Sequence, residues 1–178
     1  DLTIVNGRIV DIQPTKNKFR GLDRLVVMPS AVDTQVHLRT PGQWEKETPE
    51  TGLLAALRGG VGALLTMPNT KPVLDSVEAL KLAQDQIAPS ELRTGVRVLY
   101  SVAGTIGQKG QTVAPLVELA RAGAAAVTDD GKGIADDSVQ LAVLKASAEA
   151  GLPFLQNAET LGAAGAPAPG PGPREAWV

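Results

Sequence analysis

The reactive residue types in this sequence gather in short polar segments that each follow an apolar run. One is Asp33-Thr34-Gln35-Val36-His37-Leu38-Arg39 and a second is Met67-Pro68-Asn69-Thr70. Thr128-Asp129-Asp130-Gly131 and Gln156-Asn157-Ala158-Glu159 are the others. Carboxylates, amides and an imidazole can bind divalent metal, move protons and hold anionic ligands. Gln35 and His37 alternate, so an extended backbone would aim both at one face. Arg39, two residues on, would share that face and could fork onto a carboxylate. Asp129 and Asp130 suit a helix-capping pair, a metal ligand, or both. A bland assignment competes at each position, since Asp, Asn and Thr routinely cap helices and fill turns. A lone histidine is more often a satisfied structural residue than a ligand. Four such segments in one chain are harder to explain that way.

Whether these groups meet depends on the elements between them. Residues 2–10 read as two short β-branched runs turned at Asn6-Gly7, and residues 11–24 are polar and irregular. A buried-strand pattern covers 25–29 and continues to Leu38. Thr48 suits an N-cap with Pro49 as the first helical residue, and Leu53, Leu54 and Leu57 form a stripe ending at Gly59-Gly60. The apolar run 61–67 predicts the next strand. Ser76 opens a helix with Val77, Leu80, Ala83 and Ile87 on one face. Residues 96–102 make a third strand, and Val113, Leu116, Val117 and Ala120 mark a helix closed by Gly123. A fourth strand covers 125–128. Ser138 caps a helix buried through Val139, Ala142, Val143 and Ala146, and 153–156 is a fifth strand.

Strands alternating with helices predict a parallel sheet, and near-continuous apolar strands predict cover on both faces. An open doubly wound sheet and a (β/α)8 barrel both satisfy this pattern. In either, reactive groups collect at the carboxyl ends of the strands. The four polar segments are therefore expected at one mouth. Residues 162–173 are almost wholly Gly, Ala and Pro and read as a loop or linker. Residues 174–178 read as the start of a further helix.

Composition removes several function classes. The 178 residues carry a net charge of -2 and 3% aromatics. That gives no basic footprint for nucleic acid or an anionic membrane, and few platforms for base stacking. No apolar run approaches the roughly 20 residues of a membrane helix, and the opening residues carry no signal-peptide pattern. There is no cysteine and one histidine. Disulfides and thiolate metal sites are therefore excluded, a reducing cytoplasm is expected, and any metal must be held by nitrogen and oxygen. The sequence has no Gly-x-Gly-x-x-Gly after a strand, no Walker-type phosphate loop and no Gly-x-Ser-x-Gly elbow.

The strand-end segments, in this order, resemble the type I dihydroorotase family of the amidohydrolase superfamily. Pro29-Ser30-Ala31-Val32-Asp33-Thr34-Gln35-Val36-His37-Leu38-Arg39-Thr40-Pro41-Gly42 is similar to that family's Pro-Gly-Phe-Val-Asp-x-His-x-His-Leu-Arg-x-Pro-Gly. Met67-Pro68-Asn69-Thr70 matches its Met-Pro-Asn-Thr, and Thr128-Asp129-Asp130-Gly131 its Ser-Asp-Asp-Gly. Ala158-Glu159 matches a His-Ala-Glu segment, and Glu47-Thr48-Pro49-Glu50-Thr51-Gly52 echoes Glu-Thr-x-Glu-Thr-Gly.

The resemblance implies a (β/α)8 barrel of amidohydrolase type, incomplete as given, with a small flanking β-sandwich. Residues 1–28 would supply sandwich strands and 29–161 the first five barrel strands with their helices. The implied reaction is the reversible, zinc-assisted hydrolysis of dihydroorotate to N-carbamoyl-L-aspartate in pyrimidine biosynthesis. By position, His37 and Asp130 match metal ligands, while Arg39 and Asn69 match residues that hold the substrate carboxylate. The family's remaining histidine ligand and its catalytic aspartate are expected on later strands. Two ligand positions depart from the pattern, with Gln35 and Asn157 standing where the family has histidine. A neutral carboxamide is a poorer zinc donor than imidazole, so one zinc ion or none is expected.

These departures imply a catalytically impaired homologue that acts as a structural partner of aspartate carbamoyltransferase, in a homo- or hetero-oligomer. The alternatives are an active zinc dihydroorotase with an altered site, or a related hydantoinase- or allantoinase-type hydrolase.

Overall fold

The computed structural model describes residues 2–14 and 28–156. Asn6 and Gly7 take φ of 49° and 72°, the two-residue turn whose twist suits a hairpin. They join β1 (Leu2–Val5) to β2 (Arg8–Ile12) as an antiparallel pair. β2 thus continues into residues expected to be irregular. Ile4, Val5, Ile9 and Val10 of this hairpin are exposed.

The main sheet contains β3 (Ala31–Val36), β4 (Val61–Thr66), β5 (Arg97–Val102) and β6 (Ala124–Val127), parallel and in chain order. The crossovers carry α1 (Pro49–Arg58), α2 (Val77–Thr94) and α3 (Leu116–Arg121), and α4 (Asp137–Glu149) follows β6. Successive helices pack on one another. They share one apolar core with the sheet, in which Leu53, Leu80, Ile87, Leu119 and Val143 meet Leu64, Val98, Val102 and Val127. Leu65, Met67 and Ala126 form a small cluster apart from it, joined by Leu99 and Ala125. A doubly wound sheet reverses its strand order and carries helices on both faces. Among the described strands the order never reverses.

Local signals explain most element ends. Thr48 caps α1 by accepting from Thr51 N at 3.2 Å. Ser76 caps α2 by accepting from Ala79 N at 3.2 Å, and the helix continues past Pro89 to Thr94. Four expectations need correction. β3 is exposed along most of its length rather than buried, because β4 is its only neighbour among the described strands. Asp136, not Ser138, caps α4: one carboxylate oxygen takes Ser138 N at 2.8 Å and Val139 N at 3.2 Å. Ala142 faces outward, and Val143 and Ser147 bury that helix. The fifth strand shrinks to a single parallel bridge, Val127 with Phe154, flanked by Val127 N to Pro153 O at 2.9 Å and Leu155 N to Val127 O at 2.8 Å. The readings placed on 25–27, 157–159, 162–173 and 174–178 lie outside the described residues. Among the described residues, no helix is long and apolar enough to cross a membrane.

Leu80 is fully buried where α2 meets the sheet, so Leu80→Ala should destabilise the full-length protein by about 2 to 5 kcal/mol in urea denaturation. The Asp136 carboxyl is held below its ordinary value by the Ser138 hydroxyl, then by the amides of Val139 and Ser138. A lowered carboxyl favours the folded state above the ordinary carboxylate range, and that support is lost as pH falls through the lowered value. Hydrogen-exchange protection at Ser138 and Val139 should therefore drop on acidification, and in Asp136→Ala it should be low at neutral pH as well.

Candidate functional site

One carboxylate gathers three strand ends. Gln35, in β3, donates its Nε2 to Asp130 Oδ1 at 3.0 Å. Asn69, just past β4, donates its Nδ2 to Asp130 Oδ2 at 2.9 Å. That orientation leaves Asn69 Oδ1 facing His37 Nδ1 at 3.0 Å, so the ring donates there. His37 Nε2 sits 3.5 Å from Asp130 Oδ2 and forms an ion pair when the ring is protonated. Gln35, His37, Asn69 and Asp130 are thus brought together as the sequence expects. Arg39 is not tied into these hydrogen bonds. The extended backbone stops at Val36, and Arg39 takes a φ of 56°, so the alternation that would have aligned it ends first.

The two adjacent aspartates divide their work. Asp129 is buried and turns back onto the loop after β5. Its Oδ1 accepts from Gly104 N at 2.8 Å and from Thr105 N at 3.2 Å, and its Oδ2 from the Thr105 hydroxyl. Asp130 points the other way, to the cluster. The sequence left these two residues as capping pair or ligand; neither caps α4.

A second set of contacts fixes Asn69. Lys71 N donates to Pro41 O at 3.1 Å, and Gln43 Nε2 to Asn69 O at 3.1 Å. The two loops come so close at Gly42 (φ 81°) that a Cβ there would lie 1.9 Å from Lys71 O. Gln43, only 5% exposed, was not singled out from sequence, although it directly follows the Thr40-Pro41-Gly42 segment.

Two cavities flank the cluster. One of about 220 Å³ is lined by Thr34, Gln35, Met67, Thr128, Asp130, Leu155 and Gln156, so all four polar segments do reach one mouth. The other, of about 320 Å³, lies between β3, β4 and α1 and is lined by Asp33, His37 and Glu47 among others.

The donor chemistry can be set against the zinc ion expected from sequence. Both Asp130 oxygens accept from amide N–H groups, which offer no lone pair to a cation. Among the described residues no three His, Cys, Asp or Glu side chains group as a metal site. As arranged, the described residues bring only His37 and Asp130 to a zinc ion and do not by themselves complete the four-ligand set that zinc takes.

The profile of the family described as dihydro-orotase-like matches residues 24–165, a span that includes every one of these strand ends. The chain belongs to the dihydroorotase-like family. A dihydroorotase from Elusimicrobium minutum is 38% identical over 163 residues, covering 89% of this chain and 37% of that protein. A dihydroorotase from Shouchella clausii is 38% identical over 161 residues, with the same shares of each chain. One from Bacillus cytotoxicus is 36% identical over 163 residues, again covering 89% and 37%. The chain therefore spans little more than a third of the length of these relatives. Within the family span, sequence reasoning found Gln35, His37, Asn69 and Asp130. It missed Gln43, Thr105 and Gln108, whose residue types carry no motif.

Replacing Gly42 with alanine should strain the left-handed backbone at a cost of about 1 to 3 kcal/mol and push the 40–43 and 69–72 loops apart. The loss of stability in chemical denaturation should exceed that of Gly7→Ala, where an added Cβ meets nothing within 4 Å.

Proposed function

We propose that this chain supplies the leading strands of an amidohydrolase-type (β/α)8 barrel whose mouth has lost turnover. On this reading the protein serves pyrimidine biosynthesis in the cytoplasm as a dihydroorotase-like structural partner of aspartate carbamoyltransferase. The observation that carries the proposal is the Gln35–Asp130 hydrogen bond, 3.0 Å long. Where the family pattern places an imidazole to bind metal, this chain places an amide that donates to the metal's own carboxylate. Asn69 supports the same reading, because both ends of its amide are engaged by His37 and Asp130. A substrate carboxylate would have to displace those bonds before Asn69 could hold it, leaving Arg39 as the candidate anchor. The barrel is supported by the chain-order sheet with its helices packed in one row. The hairpin β1–β2, with its exposed apolar residues, suits a flanking sandwich.

A second reading is favoured by one contact. His37 and Asp130 remain 3.5 Å apart, so an active zinc dihydroorotase could use them with donors from elsewhere in the protein. One experiment separates the two. The full-length protein should carry less than one zinc per chain, should not hydrolyse dihydroorotate to N-carbamoyl-L-aspartate, and should co-elute with aspartate carbamoyltransferase. Stoichiometric zinc with turnover would overturn the scaffold reading in favour of the second. Restoring imidazole with Gln35→His and Asn157→His together should raise zinc affinity by at least tenfold in equilibrium dialysis.

A further inference from the structure

Gln108 carries two features that are individually unfavourable. Its backbone lies in the left-handed region at φ 52°, and its polar side chain is 3% exposed. A buried amide must be hydrogen-bonded, and a strained non-glycine backbone persists only where the surroundings enforce it. Here the surroundings do enforce it. Gly107 N donates to Asp75 Oδ2 at 2.6 Å, Gly110 N to Thr105 Oγ1 at 3.0 Å, and Ile106 N to Thr112 O at 2.8 Å. The loop so held turns the Gln108 amide inward, where Nε2 donates to the main-chain carbonyl of Asp130 at 3.3 Å.

We propose that Gln108 is a positioning residue, setting the direction in which Asp130 presents its carboxylate to Gln35, Asn69 and His37. The neighbouring Asp129 is gripped through its side chain by the same loop. Asp130 is gripped through its backbone, which leaves its side chain free to cross the mouth. The loop after β5 therefore acts on the cluster without contributing a side chain to it. This role serves the site on which the proposed function rests, but it does not require that the site bind metal or turn over substrate.

His37 reports on the arrangement because its Nε2 faces Asp130 Oδ2. In the full-length protein with labelled histidine, its imidazole signals are assigned by their loss in His37→Gln, and all spectra are taken at one pH. Gln108→Ala and the similarly sized Gln108→Met, which has no hydrogen-bond donor, should both displace those signals in the direction seen for Asp130→Asn. Gln108→Gly relieves the left-handed backbone while removing the amide, and should displace them too. Leu80→Ala, a core substitution away from the mouth, should leave them in place. Unmoved His37 signals in folded Gln108→Gly would overturn the proposal. So would displacement in Gln108→Ala that Gln108→Gly abolishes, since backbone strain rather than the amide would then be the cause. Zinc content and hydrolysis are separate measurements, so failure here would not be mistaken for failure of the scaffold reading.

Discussion

A carboxylate removed from water has to be met by donors, or the fold loses several kcal/mol. Asp129, 2% exposed at the end of β6, imposes that requirement on its surroundings. Two backbone amides and a hydroxyl from residues 104 and 105 answer it. Much of the mouth follows from this single anchorage. The loop after β5 is fastened to the end of β6, and Thr105, already engaged, also accepts from Gly110 to close that loop. With Asp129 committed inward, the next side chain faces away, and Asp130 reaches the ends of β3 and β4.

The sheet brings those ends to a common level. Two of the three ladders continue a step past their strands: Met67 N donates to Val36 O and Thr128 N to Val102 O, both at 2.9 Å. The segments at Met67 and Thr128 thus begin where the backbone pairing finishes, while the first polar segment starts within β3. Because the helices pack in a single row, all parallel crossovers return the chain in the same sense. Every strand therefore offers its carboxyl end to the same rim.

Much of this is readable from local chemistry. Asn6-Gly7, Thr48-Pro49 and the run 61–66 announce a turn, a helix start and a buried strand with information held in a few adjacent residues. The location of the cluster was also legible, because strand-end position predicts which segments converge. What escaped reading depends on pairing. β3 follows an apolar run and was read with it as a buried strand, but its exposure is set by having one neighbour among the described strands, which no residue within it encodes. Asp136 and Ser138 are both good caps, and the choice between them turns on where the helix begins. The opposite aims of Asp129 and Asp130 are decided by a loop some 25 residues earlier. Arg39 was expected to share the face of His37, and the positive φ of a non-glycine residue gave no warning in sequence.

The amide at position 35 has a consequence for how such a site could change over time. A metal ion approaching Asp130 meets a carboxylate already engaged on both oxygens, and its donors are built into the chain whereas the ion must be captured. Exchanging Gln35 for an imidazole withdraws a hydrogen bond at once, while any recompense waits on further ligands being in place. The path toward a metallated mouth therefore descends before it rises, and the hydrogen-bonded arrangement works as a ratchet.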